Sequence, residues 1–231
     1  MTALGASCVF FFKKAHSHLL NLTLGFSSGI MLAASYFSLL KPALEQAQSL
    51  PWLVVSAGFL TGGLFIALSE KLFDILPKHF ACKKRSFMLV ASITIHNIPE
   101  GLAVGVAFGS LSFGDSPIPA ILLATGIGLQ NFPEGSAVSL PLRRDGYSRF
   151  KSFFIGQLSG FVELVAGVLG AVMVGFFTAI LPFSLAFASG AMVFAVFKEL
   201  IPEAESDGTL MPSIAGIFGF TIMMLLDVLL G

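Results

Sequence analysis

Residues 96–101 read HNIPEG, and residues 130–135 read QNFPEG. Four of the six positions are identical, and the match continues in part with Ala103-Val104 against Ala137-Val138. Each phrase sits in a long apolar stretch. Residues 86–114 hold Glu100 as their only charge, and residues 116–142 hold only Glu134. A helix needs roughly 20 apolar residues to cross the hydrocarbon core of a bilayer, and both stretches are long enough.

Four further stretches extend the pattern. Residues 15–40, 46–69 and 208–226 contain no Asp, Glu, Lys or Arg, and 152–197 contains only Glu163. The last of these has the length of two spans, and Leu181-Pro182 is the natural break because proline ends a helix from the turn before it. That makes seven spans, over approximately 17–40, 50–71, 86–109, 117–141, 150–179, 183–201 and 211–230. Residues 1–12 are apolar but too short to cross alone, and are either half of a span or an interfacial piece. Their charges follow the apolar run instead of preceding it, so they do not form a clean secretory signal.

The composition agrees with a lipid solvent. Only 11% of residues are charged and 55% are hydrophobic, where a soluble domain carries about 25% charge. Mean hydropathy is +0.90. A formal net charge of zero argues against a nucleic-acid partner. Cys8 falls in an apolar run and Cys82 beside Lys83, Lys84 and Arg85; by the topology below they do not face one another, so no disulfide is expected. With residues 1–12 taken as the first of eight spans, every Lys and Arg except Lys41 falls in an odd-numbered connection. The positive-inside rule then puts those loops in the cytosol and both termini on the other side. The connections are short and the whole of 1–231 reads as one transmembrane unit, so function must reside in the bundle.

Ionisable side chains at membrane depth are costly and mark functional candidates. Glu100, Glu134 and Glu163 lie well inside spans, and His96 is the histidine that does so; His16, His18 and His79 fall at helix ends or in loops. His96 and Glu100 are four apart and Asn97 and Glu100 three apart, so each pair shares a helix face. Gln130, Asn131 and Glu134 repeat that geometry. Pro99 and Pro133 remove a backbone hydrogen bond and free a carbonyl, which lipid tolerates only where the helix lines a polar cavity. Facing one another, the two strips offer an imidazole, two carboxylates and three amides, a donor set suited to zinc and similar divalent ions. Two carboxylates in low dielectric repel unless a cation or proton lies between them. Taken alone, Glu163 is also explained by a bond to a neighbouring helix, and Met31 by packing.

These phrases resemble those of the ZIP family of metal transporters, in its GufA-like branch. The resemblance runs through residues 29–40 (GIMLAASYFSLL), the two PEG phrases, residues 156–163 (GQLSGFVE) and residues 199–203 (ELIPE). It implies an all-α, polytopic membrane bundle of eight spans with both termini outside the cytosol, and residues 1–12 as the second half of a truncated first span. It implies a primary transport site of Met31, His96, Glu100, Gln130 and Glu134. It implies a second site of Asn97, Asn131 and Glu163, with Glu100 and Glu134 shared. Met31 thereby becomes an expected ligand, a soft thioether among harder donors. Asn131 stands where bacterial relatives often carry Asp, which lowers the charge of the second site. Lys198 beside Glu199 disfavours an exit site built on Glu70 and Glu199.

The expected activity is carriage of a divalent metal, zinc first, toward the cytosol, with no prosthetic group and no enzymatic reaction. An intramembrane zinc hydrolase is the competing enzyme reading, but one histidine at depth and no H-E-x-x-H argue against it. A metal-gated channel or sensor is the other alternative. The resemblance carries a homodimer as an expectation. The plasma membrane and an internal membrane such as the Golgi are both compatible with the chain.

Overall fold

The computed structural model describes residues 1–11, 17–75, 84–114, 116–176 and 180–230. Among them every regular element is helical. In chain order these are α1 (Thr2–Ala6), α2 (Cys8–Phe11), α3 (Ser17–Ala34), α4 (Lys41–Gln46), α5 (Pro51–Ile75), α6 (Lys84–Gly109), α7 (Pro117–Arg144), α8 (Arg149–Phe176), α9 (Leu181–Ala195), α10 (Ile201–Ala204) and α11 (Met211–Leu230). Two π-helical turns join α3 to α4 and α9 to α10, at Ser35–Leu40 and Val196–Leu200. Both continue without a break, so α3–α4 and α9–α10 are each one rod with a widened turn.

Local sequence places the boundaries. Pro117 opens α7 behind Ser116, whose hydroxyl accepts from the Ile118 N–H at 3.3 Å, so an orphan donor of the first turn is capped. Pro182 lies in the first turn of α9, where proline lacks only a donor that has no partner anyway; Pro202 lies inside the continuous α9–α10 rod just beyond the π turn, where its missing N–H frees a carbonyl of that turn. Gly208, at φ +68°, makes the turn before α11.

The helices pair through glycines. α6 packs on α8, α3 on α11, α5 on α9, and α1 on α7. A Cβ on Gly105 would lie 2.0 Å from the Gly167 carbonyl oxygen, and one on Gly5 would lie 1.8 Å from that of Phe132. Only glycine permits backbones to approach this closely, and dispersion contact at such seams drives association in lipid, where the hydrophobic effect between helices is absent. The pairs gather into two sets. α1, α6, α7 and α8 contact one another, and α3 with α5, α9 and α11 forms the second set; α3 on α7 and α9 on α6 join them.

Five described segments are long and apolar enough to cross a membrane: Leu20–Gln46, Pro51–Ser69, Arg149–Val174, Leu181–Ala204 and Met211–Leu229. Their outward faces carry large exposed side chains such as Leu60 and Leu64 on α5 or Phe154, Phe161 and Val168 on α8, the surface that lipid tails cover. α7 is not among the five, for a physical reason. It is the central helix, buried along 120–142 on most of its faces, and it carries Gln130, Asn131 and Glu134 inward. Such a helix is shielded by protein and need not be apolar throughout. This is an integral membrane protein.

Candidate metal-binding site

α6 and α7 set the two PEG phrases against each other at the centre of the bundle. Asn97, Glu100 and Gln130 are fully buried, and Glu134 and Asn131 nearly so. Pro133 lies inside α7 and removes the N–H that would bond the Leu129 carbonyl. Gly101 follows Glu100, and a Cβ there would meet the Glu163 carbonyl oxygen at 2.1 Å, so α8 lies directly against the site. Gly135 follows Glu134 in the same way, with its Cβ position 2.1 Å from the Thr2 carbonyl oxygen of α1. The glycine of each phrase lets a neighbouring helix close over the carboxylate beside it.

Hydrogen bonds orient the amides. Asn97 donates from Nδ2 to the Ser159 carbonyl at 2.8 Å, which leaves its Oδ1 as the free end. Gln130 donates from Nε2 to Asn131 Oδ1 at 3.4 Å, and Asn131 donates from Nδ2 to Glu163 Oε2 at 2.8 Å. The amide nitrogens are therefore spent on acceptors, and oxygens remain. Ser27 Oγ donates to the Gln130 carbonyl at 3.5 Å and fixes α3 beside the second phrase.

Among the described residues, eight buried side-chain oxygens have no hydrogen-bond partner. Six belong to the two phrases: Asn97 Oδ1, both Glu100 oxygens, Gln130 Oε1 and both Glu134 oxygens. The other two are Ser139 Oγ and Ser152 Oγ. The Gln130 amide lies near Glu100 without closing a hydrogen bond to it. Glu100 feels the charges of both Glu134 and Glu163, and Glu134 feels that of Glu163. Buried polar groups in folded proteins are nearly always satisfied. Six buried oxygens without a hydrogen-bond partner in one place, four of them carboxylate oxygens, suit a cation.

Sequence comparison decides the family. A sequence profile described as "ZIP Zinc transporter" matches residues 77–227. "Zinc transporter ZIP11" of Xenopus tropicalis is 37% identical, with 100% of this chain and 94% of that protein covered. "Zinc transporter GufA" of Myxococcus xanthus is 35% identical over 90% of this chain and 85% of its own length. "Zinc transporter ZupT" of Nitratidesulfovibrio vulgaris is 33% identical over 99% and 92%. The chain belongs to the ZIP family. Its fold class is the polytopic helical bundle of that family, and metal-ion transport is the activity that its relatives support.

The ZIP chain brings most of the residues expected from sequence into one region. Asn97, Glu100, Gln130, Asn131 and Glu134 come together on α6 and α7, and Glu163 joins them from α8 through Asn131. Met31 is 1% exposed within an apolar cluster that also includes Ala103 and Ile127, one turn from Glu100 and Gln130 respectively. The side chains of His96 and Glu70 lie outside the described residues. Among the described ones, no three His, Cys, Asp or Glu side chains gather closely enough to hold a metal alone. Sequence reasoning passed over Asp227, whose Oδ2 accepts from Ser38 Oγ at 2.7 Å between α11 and the Ser35–Leu40 turn. It ends an apolar run and so read as a boundary. Ser27 and Ser159, which orient the phrases, carry no signal that distinguishes them from any other membrane serine.

Proposed function

We propose that this chain carries Zn²⁺ through the bilayer toward the cytosol, with Glu100 and Glu134 as the bridging carboxylates of a midplane site. The observation that carries the reading is the set of six partnerless acceptor oxygens on two facing, sequence-related helices. Two carboxylates and two amide oxygens in one buried place offer negative charge and several lone pairs at once, which a divalent cation uses more fully than a neutral donor does. Met31 and His96 complete the primary site with a thioether and an imidazole. Asn97, Asn131 and Glu163, with the two shared glutamates, form an adjacent second site. Mixed hard and soft donors bind the ion without trapping it, as a carrier requires. Eight spans across 1–231, both termini outside the cytosol and a homodimer complete the proposal. The cytosolic face is the one that bears nearly all the Lys and Arg.

Apolar packing lies on both sides of the donors. One cluster includes Met31, Ala103 and Ile127; the other includes Leu24, Ile93, Val138 and Leu142. A carrier must open these layers in turn, and the division of the helices into two sets provides bodies that can move against one another.

Uptake of radiolabelled zinc into cells tests the proposal, comparing the chain with Glu134→Ala and His96→Ala at matched surface levels. Saturable uptake lost in both variants is the expected result. Uptake that survives both substitutions would show that the ion passes elsewhere.

A further inference from the structure

The second set of helices contains another internal repeat. Residues 26–31 read FSSGIM and residues 187–192 read FASGAM. The structure repeats with them. A π turn begins four residues after each methionine, at Ser35 and at Val196. The phenylalanine that opens each phrase meets a glycine of the partner helix: a Cβ on Gly219 would lie 2.1 Å from the Phe26 carbonyl oxygen, and one on Gly62 would lie 1.9 Å from that of Phe187. π turns in membrane helices cluster at functional positions, and interrupted helices in corresponding places of two halves point to a transporter's binding region.

The two rods are antiparallel. α4 packs on α9, and α10 packs on α3. They are pinned where Ser189 Oγ donates to the Ser35 carbonyl at 2.8 Å. Ser35 stands four residues beyond Met31, and Ser189 three residues before Met192. At 1.5 Å per residue, Met31 lies about 6 Å from the pin and Met192 about 4.5 Å from it, in the same direction along the membrane normal. The methionines therefore share a depth to within roughly 2 Å. Each is 1% exposed, in one apolar cluster. Met31 stands on the rod that packs against α7, and Met192 on the rod that packs against α6. The carboxylates Glu134 and Glu100 stand on those two helices, related by a repeat of their own.

We infer that Met192 is the counterpart of Met31: a second thioether offered to the ion from the α6 side, and a determinant of preference for soft divalent ions. The assignment rests on the midplane site proposed above. In a bundle whose halves exchange roles between the two access states, the donors that approach the ion should exchange as well. One thioether then serves the ion as it enters and the other as it leaves, and neither binds it strongly enough to stop it.

The test is uptake of zinc and cadmium by the full chain in cells, each metal alone, with Met31→Leu, Met192→Leu and Met192→Cys beside wild type. Leucine keeps the volume and removes the sulfur; cysteine keeps a soft donor. Met31→Leu and Met192→Leu should each lower the cadmium-to-zinc uptake ratio, about tenfold for loss of one supporting metal contact. Met192→Cys should restore that ratio or exceed the wild-type value. A wild-type ratio in Met192→Leu overturns the assignment, as does a Met192→Cys ratio as low as that of Met192→Leu. If Met192→Leu does not reach the membrane, Met192→Cys decides: a cadmium preference at or above wild type supports the thioether's role, and a fall overturns it. Zinc uptake lost in Glu134→Ala reports separately on the site itself, so its failure is distinguishable from that of Met192.

Discussion

Replacing Glu134 by Gln should stabilise the metal-free protein while abolishing its response to zinc. Both Glu134 oxygens are buried without a partner, and the group faces the charges of Glu100 and Glu163. A buried polar group left unsatisfied costs about 1–3 kcal/mol, and more when charged. A neutral amide of nearly the same shape removes the repulsion. The expected gain of about 1–3 kcal/mol corresponds to roughly 2–12 °C in Tm for a chain of this length. Zinc at a hundredfold excess over its Kd should stabilise the wild-type chain by about 2.7 kcal/mol, and the variant by far less. The assay is thermal unfolding of purified protein in detergent, followed by fluorescence-detected gel filtration after chelation and again after zinc is added back. The reasoning fails if Glu134→Gln melts below wild type without metal, as an ordinary core substitution would, or if it keeps the full zinc response. Either result would mean that this carboxylate is part of the packing and is not held in reserve for a cation.

Gly101→Ala should damage the site through the backbone. Its Cβ would lie 2.1 Å from the Glu163 carbonyl oxygen, where ordinary contact begins at 3.4 Å, so α6 and α8 must part by about 1.3 Å (3.4 − 2.1). The 2.8 Å bond from Asn97 on α6 to the Ser159 carbonyl on α8 spans that same seam and should be lost, and zinc uptake should fall sharply while Tm drops by the equivalent of about 1–3 kcal/mol. Asn131→Asp places a carboxylate against Glu163 where an amide now donates; zinc uptake should show a lower half-saturation concentration and a lower maximal rate, because a more anionic site releases its ion more slowly. Outside the membrane, two hydrogen bonds from Thr209 hold the Asp207 carboxyl below its usual range. A depressed folded-state pKa contributes stability above the unfolded value, and that contribution is lost as pH falls through the folded value. Thr209→Val should therefore lower Tm near neutral pH and converge on wild type below about pH 3.9, which a pH series of melting curves checks.

The helical class was legible because the charges are few and widely spaced: Glu100, Glu134 and Glu163 stand alone in stretches that lipid would otherwise surround. The buried polar cluster of α6 and α7 was legible because two phrases share Asn, Pro, Glu and Gly at helical spacing, and membrane depth makes each polar group conspicuous. Other features were hidden for physical reasons. The widened helical turns were hidden because the proline that follows each by two residues, Pro42 and Pro202, elsewhere ends or kinks a helix instead of widening it. Helix pairing depends on which glycines face each other, and a membrane chain with 24 glycines offers too many choices. The direction of an amide is likewise invisible in sequence. Asn97 presents oxygen to the site because Ser159 offers a carbonyl to its nitrogen.

The pairing itself explains why the donors can tolerate such unfavourable burial. α3 pairs with α11 and α5 with α9, so the first two helices of that set are each held by a partner from the end of the chain. The FxSGxM phrases make the same backbone contact in both pairs, through Gly219 and Gly62. Neither rod can shift without its partner, and the Ser189–Ser35 bond ties the rods to each other. α6 and α8 are locked as tightly through Gly101 and Gly105. Close-packed seams transmit displacement instead of absorbing it. The sets meet where α3 packs on α7 and α9 on α6, while the acceptor oxygens of Asn97, Glu100, Gln130 and Glu134 lie on α6 and α7, the two helices of the first set that face the second. On the function proposed above, a cation bound between Glu100 and Glu134 relieves their repulsion and draws α6 and α7 together, and its departure restores that repulsion. On that proposal, the repulsion that makes the metal-free site costly is the same interaction that favours binding of the ion, and the helices that carry it, α6 and α7, are those on which the second set packs.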